Sequence, residues 1–120
     1  MAARQPPSID AYGGGGFRVS GERREGSLLI LSDEPRLWPV RAFAELGPEH
    51  FAEVIAAGPR EVEFELLGTG PGPALPPRAV REALKAAGVG LEFMDTPTAA
   101  REYNVLAAEG RRLAAALIAV

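Results

Sequence analysis

The chain has 120 residues, no cysteine, and 13 Lys and Arg against 16 Asp and Glu, for a formal net charge of −3. That length suits one domain with one core, and the missing thiols exclude disulfides, thiolate metal sites and cysteine nucleophiles. Mild acidity without a basic stripe argues against a nucleic-acid partner, and no apolar run approaches the ~20 residues that span a bilayer.

Residues 1–7 read as a loose, Pro-broken terminus ahead of a single domain over 8–120. They show neither the apolar stretch of a secretory signal nor an amphipathic leader. Together with the lack of Cys and the abundance of Ala, Arg and Gly, this sets the expectation of a cytoplasmic protein of bacterial origin. Ser8-Ile9-Asp10-Ala11-Tyr12 alternates as a strand, turns through Gly13 to Gly16, resumes in Phe17-Arg18-Val19 and turns again at Ser20-Gly21. The charges of Glu22-Arg23-Arg24-Glu25 predict a solvated loop. Ser27 to Leu31 is a continuous apolar run, the pattern of a strand buried on both faces. In Leu37-Trp38-Pro39-Val40 the proline restricts Trp38 to extended backbone and marks an edge or non-strand segment. Trp38 itself reads either as core or as an exposed anchor for a protein partner.

The second half changes period. Three segments carry proline just inside the start and glycine just past the end, the signature of helices: Pro48 to Ala57, Pro77 to Ala87, and Pro97 to Glu109. Thr96 is placed to cap the third. His50, the only histidine, falls in the first turn of the first helix and is expected to face solvent. Between the helices, Glu61 to Leu67 and Val89 to Met94 read as parallel strands, the former setting Val62, Phe64 and Leu66 against Glu61, Glu63 and Glu65. The tail is ambiguous: the alanines of Arg112 to Val120 favour helix, yet Gly110 has just closed one. Leu113, Leu117 and Ile118-Ala119-Val120 suit a strand returning to the sheet, and strand is the expectation. The result is a layered α/β domain, a mixed sheet covered by helices with a β-rich N-terminal part.

Two loops follow the parallel strands, where open α/β sheets bind ligands. Gly68-Thr69-Gly70 lacks the dinucleotide fingerprint, whose third glycine would fall at Pro73, and no Gly-Lys-Ser/Thr follows to make a P-loop. It reads as a structural turn or a small-ligand loop. Asp95 and Thr96 cap the next helix, and either stop there or join Arg101 and Asn104 in a polar pocket opening on the rim of Gly68, Thr69 and Gly70. No Gly-x-Ser-x-Gly elbow accompanies His50, so no catalytic residue, metal ligand or cofactor is assigned.

Taken in order, Ile9-Asp10-Ala11-Tyr12, Gly16-Phe17, Trp38-Pro39-Val40, Leu67-Gly68-Thr69-Gly70, Asp95-Thr96-Pro97, Tyr103-Asn104-Val105-Leu106, Glu109-Gly110-Arg111 and Ala114-Ala115-Ala116-Leu117 resemble one small α/β family. It comprises uncharacterised bacterial and archaeal proteins, the mitochondrial respiratory complex I assembly factor and the adipogenesis-associated single-domain protein. The likeness runs from about Ser8 to Val120, with Glu102 and the missing presequence as departures. It implies a three-layer fold around a mixed sheet of about five strands, a strand at the tail, and no catalytic residues. It also implies a non-catalytic module that assists assembly of a respiratory complex through protein partners. The alternative is a small-molecule binder or enzyme using the polar edge around Gly68, Thr69, Gly70 and Asp95.

Overall fold

The structure, a computed structural model, describes residues 5–120. Of the expected loose terminus, residues 1–4 lie outside the described residues; Gln5 to Pro7 carry no regular structure, and the Pro7 carbonyl accepts a hydrogen bond from the Tyr103 hydroxyl.

Strands β1 (Ile9–Gly13), β2 (Gly16–Val19) and β3 (Glu22–Glu25) form a small antiparallel sheet in sequence order. The third is a correction, since this charged stretch pairs with β2 rather than looping through solvent. The Arg23 guanidinium bonds the carbonyls of Gly13 and Gly14 and the Glu25 carboxylate, so local charge pairing holds the turn and the strand together. At Gly16 a Cβ would come within 2.4 Å of the Arg24 carbonyl oxygen, so the strands approach closely only with glycine there.

Strands β4 (Ser27–Leu31) and β5 (Glu34–Trp38) begin the larger sheet. A 3-10 turn over Pro48–Phe51 leads into α1 (Ala52–Ala57). Then come β6 (Phe64–Gly68), α2 (Arg78–Ala86), β7 (Gly90–Met94), α3 (Thr96–Ala108) and β8 (Leu113–Leu117). The sheet order is β5-β4-β8-β6-β7. Strand β8 pairs antiparallel with β4 and parallel with β6, and β6 pairs parallel with β7. The tail is thus the central strand. Its alanines are buried and laddered on both sides, and tertiary context overrides their helix propensity. Strand β5, which contains Pro35 and stops just before Pro39, is an edge, where a residue without an N–H is tolerated.

Residue alternation sorts the core into two halves. Leu29, Leu67, Ala114 and Ala116 face α1 and α2 with Val54, Val80 and Leu84. Leu28, Ile30, Leu66, Ala115 and Leu117 face α3 and the small sheet, meeting Ala99, Tyr103, Phe17 and Val19. The molecule is therefore three layers with the mixed five-stranded sheet in the middle, as expected. The Asn104 amide clamps β1 to α3, donating to the Ile9 carbonyl at 2.8 Å and accepting from the Ile9 N–H at 2.9 Å.

One residue breaks the pattern. Glu65 alternates with the polar residues in sequence, yet β6 is covered on both faces and Glu65 is 0% exposed, on the α1–α2 side with Leu67. Neither carboxylate oxygen has a well-formed hydrogen bond. Burial pushes its pKa well above the ordinary 4.5, opposed to a lesser extent by the nearby Leu66 amide. The folded state therefore keeps a proton that the unfolded chain gives up, and stability falls as pH rises above about 4.5. Glu65→Leu should remove that downward slope and, by eliminating an unpartnered buried polar group, raise stability near pH 7 by about 1–3 kcal/mol. Urea unfolding of both proteins between pH 4 and pH 8 measures this; parallel pH profiles would contradict it.

Candidate functional site

Parallel pairing in the register Phe64↔Gly90 to Gly68↔Met94 delivers the Gly68–Gly70 turn and Asp95 to the same end of the sheet. Since β8 runs parallel to β6 and β4 runs antiparallel to β8, the end of β8 and the start of β4 share that rim, with the end of β5 beside them.

The rim is knotted by Thr96, which is 0% exposed. Its hydroxyl accepts from the Gly70 N–H at 2.9 Å and donates to the Ile118 carbonyl at 2.7 Å. Its own N–H donates to the Gly70 carbonyl at 2.8 Å, and the Ile118 N–H donates to the Gly68 carbonyl at 3.0 Å. One side chain thus joins the end of β6, the end of β8 and the start of α3. Gly68 makes this closeness feasible, because a Cβ would meet Thr96 Oγ1 at 2.9 Å and Leu117 Cδ2 at 2.8 Å. Thr69 continues the ladder, its N–H donating to the Met94 carbonyl, and its hydroxyl reaches the Gly72 carbonyl at 2.7 Å.

Sequence had offered both Asp95 and Thr96 as helix caps; the capping residue is Asp95. Its Oδ1 accepts from the Thr98 N–H at 2.8 Å and its Oδ2 from the Thr98 hydroxyl at 3.0 Å. These bonds, with a smaller contribution from the Arg101 charge, hold the Asp95 carboxyl below the usual range. Arg101 is exposed. Asn104 is engaged away from the rim, on Ile9. The structure therefore brings together Gly68, Thr69, Gly70, Asp95 and Thr96, places Arg101 close enough to act on Asp95, and commits Asn104 to β1.

Beside the knot lies a cavity of about 580 Å³, bounded by Trp38, Pro39 and Val40 at the end of β5, by Ser27 and Ala119, and by the glycines of the small sheet's turns. Exposed Arg41 and Glu45 also border it. Sequence gave no direct sign of this hollow, which depends on where the Gly15 and Gly26 turns land; the nearest signal was Trp38-Pro39. Trp38 proves to be core, 2% exposed, with its ring edge-on to Phe51 and its Nε1 donating to the His50 carbonyl at 3.0 Å. It lines this cavity. His50 is likewise not idle at the surface: its Nδ1 accepts from the Gly47 N–H at 3.0 Å, which assigns the ring proton to Nε2.

The Ser27 hydroxyl donates to the Val40 carbonyl and accepts from the Ala119 N–H, so it lacks a base and serves to fasten β4 to the chain on either side. Among the described residues no cluster of His, Asp or Glu is placed to hold a metal ion. No described helix is long and apolar enough to cross a membrane.

Comparison with known proteins gives a consistent answer. The profile of a family described as "Protein of unknown function (DUF498/DUF598)" matches residues 9–118. An uncharacterized protein of Rhodobacter capsulatus is 38% identical over 98% of this chain and 93% of its own length. The Bos taurus protein named NADH dehydrogenase (ubiquinone) 1 alpha subcomplex assembly factor 3 is 35% identical over 92% of this chain; the match spans 59% of that relative. The crystal structure of a Bordetella parapertussis protein superposes with a TM-score of 0.87 at 33% identity, covering 99% of this chain and 100% of that one.

The knot generates a direct prediction. Thr96→Val keeps shape but strands the buried Gly70 N–H and Ile118 carbonyl, and should cost about 2–4 kcal/mol in denaturant unfolding. Thr96→Ser keeps both bonds and should cost less than half of that. Equal losses for the two variants would show that the methyl group, not the hydroxyl, is what the rim requires.

Proposed function

As the chain belongs to the DUF498/DUF598 family, we propose that it is a non-catalytic, assembly-factor-like module that holds a protein partner during construction of a respiratory NADH dehydrogenase. The observation that carries this reading is the likeness to proteins named as assembly factors of that enzyme, which extends over 92–97% of this chain in the Bos taurus and Homo sapiens relatives. The match thus takes in both halves of the core. The chain spans 59% and 62% of those two proteins, so the role assigned is that of their shared domain.

The chemistry of the rim agrees with such a role. Ser27, Thr69, Asp95, Thr96 and Asn104 direct their polar atoms to the protein's own backbone or to a neighbouring side chain. A domain of this kind presents shape, apolar surface and charge rather than a nucleophile and base. The assembly reading takes a protein as the partner, which the printed names of the relatives support, and the acidic balance of the chain suits it.

One observation favours a second reading, in which the rim takes a small molecule. The cavity beside Trp38, at about 580 Å³, falls within the range of ligand pockets. Trp38 is the only tryptophan, so its fluorescence reports occupancy of this cavity without a label.

The assembly reading is tested in cells that carry the gene and a respiratory NADH dehydrogenase. Deletion should lower NADH oxidation by isolated membranes and deplete the fully assembled enzyme on native gels, with succinate oxidation unchanged. Reintroduction of the intact chain should restore both. Normal NADH oxidation and a normal assembled enzyme in the deletion strain would overturn the reading.

A further inference from the structure

Strand β7 is the outermost strand beyond β6, on the side of the sheet opposite β5. Its ladder begins with the Gly90 N–H donating to the Glu63 carbonyl and ends with the Met94 carbonyl accepting from the Thr69 N–H. In a parallel ladder, residues bonding inward alternate with residues whose backbone groups point away. Gly90, Glu92 and Met94 therefore face β6, and Leu91 and Phe93 turn their N–H and C=O groups to an open edge. Such an edge is a template for an added strand.

The side chains flanking this edge are as telling as its backbone. Leu91 packs against the α2 side of the core, and Phe93, on the same face by alternation, is 38% exposed. Together with Val89 and Gly90 they border a groove of about 410 Å³ whose other wall is α2, contributing Arg81 and Lys85. Both cations are exposed, and neither is in an ion pair among the described residues. Arg81 donates through Nε to the Pro76 carbonyl, which anchors its stem and leaves the charge unpaired.

Geometry and charge together select the occupant. Arg81 and Lys85 are four residues apart, a rise of about 6 Å along the helix. Alternate residues of an extended strand are about 6.7 Å apart and point to one face. A strand added to β7 with acidic side chains at alternate positions would set successive carboxylates opposite the two cations. A second copy of this chain fits poorly. Antiparallel pairing of Leu91 with Phe93 of another copy would put Glu92 opposite its own equivalent, and like charges in that position are destabilising.

We propose that the open edge of β7 binds an extended, acidic segment of a protein partner as an added strand, with alternate carboxylates meeting Arg81 and Lys85. This deepens the assembly reading, and rests on it for the existence of a protein partner.

The test uses the full chain and a labelled synthetic peptide, Thr-Glu-Val-Glu-Val-Glu-Thr, followed by fluorescence anisotropy. Binding should saturate, and the Leu91 and Phe93 amides should slow in hydrogen exchange on addition of peptide. Lys85→Glu should weaken binding by at least about fivefold. Phe93→Pro should abolish it, because proline removes an outward N–H and leaves the bonds to β6 in place. Absence of binding, equal binding of a peptide with Lys in place of Glu, protection of amides elsewhere, or self-association through β7 would each overturn the proposal. None of those results touches the assembly reading, which is scored on the membranes of the deletion strain. A deletion strain with normal enzyme would in turn fail that reading whether or not the peptide binds.

Discussion

The hydroxyl of Thr96 is the constraint on which the arrangement of the rim depends. It is buried, it accepts one backbone hydrogen bond and donates another, and its partners belong to segments far apart in the chain, at Gly70 and Ile118. Strands β6 and β8 are parallel neighbours in the sheet, and the chain continues from their ends to Gly70 and Ile118. Thr96 holds the two exits together at the point where α3 begins. Water cannot substitute for this hydroxyl without opening the core, so the bond network and the packing of Gly68 against Leu117 stand or fall together.

With that end fixed, the rest of the rim follows. Asp95 caps α3 by accepting from the Thr98 N–H and hydroxyl, so the helix starts at the rim. Further along the same helix, Tyr103 and Asn104 reach the segment before β1 and β1 itself. The small sheet is thereby held over the α3 face, with Phe17 and Val19 in the core. Its glycine turns then reach the end of β8, where the Gly15 N–H donates to the Val120 carbonyl, and they close one side of the cavity near Trp38. A polar knot at one end of the sheet thus determines a mostly apolar hollow beside it. The functional reading follows the same logic: side chains committed to holding the fold leave edges, grooves and unpaired charges as the means of recognition.

Much of this was legible in the sequence, and the exceptions have physical causes. Proline-start and glycine-stop signals located the three helices, and the apolar run from Ser27 to Leu31 announced a strand buried on both faces. Parallel delivery of Gly68–Gly70 and Asp95 to one rim followed from strand–helix–strand spacing. The charged strand β3 was hidden because its pairing comes from tertiary position and from Arg23 bonding the preceding turn, neither of which composition reveals. Glu65 misled for a related reason: alternation reports polarity, not burial, and a carboxyl on a covered strand can remain inside by keeping its proton. Asn104 pointed toward the rim by helical spacing alone, whereas its amide matches both the N–H and the C=O of Ile9. The roles of Asp95 and Thr96 were nearly interchangeable on paper. Only the proximity of Gly70 and Ile118 distinguishes the capping residue from the one that ties the strands.

Native-state hydrogen exchange at Gly70 and Ile118 tests the central claim most directly. If the Thr96 knot is integral to the fold, both amides should exchange only through global unfolding, with the same opening free energy and denaturant dependence as amides in the middle of β6 and β8. Exchange of either amide through a low-energy, denaturant-independent opening would mean that the rim opens on its own. It would contradict the account of a rim locked to the core.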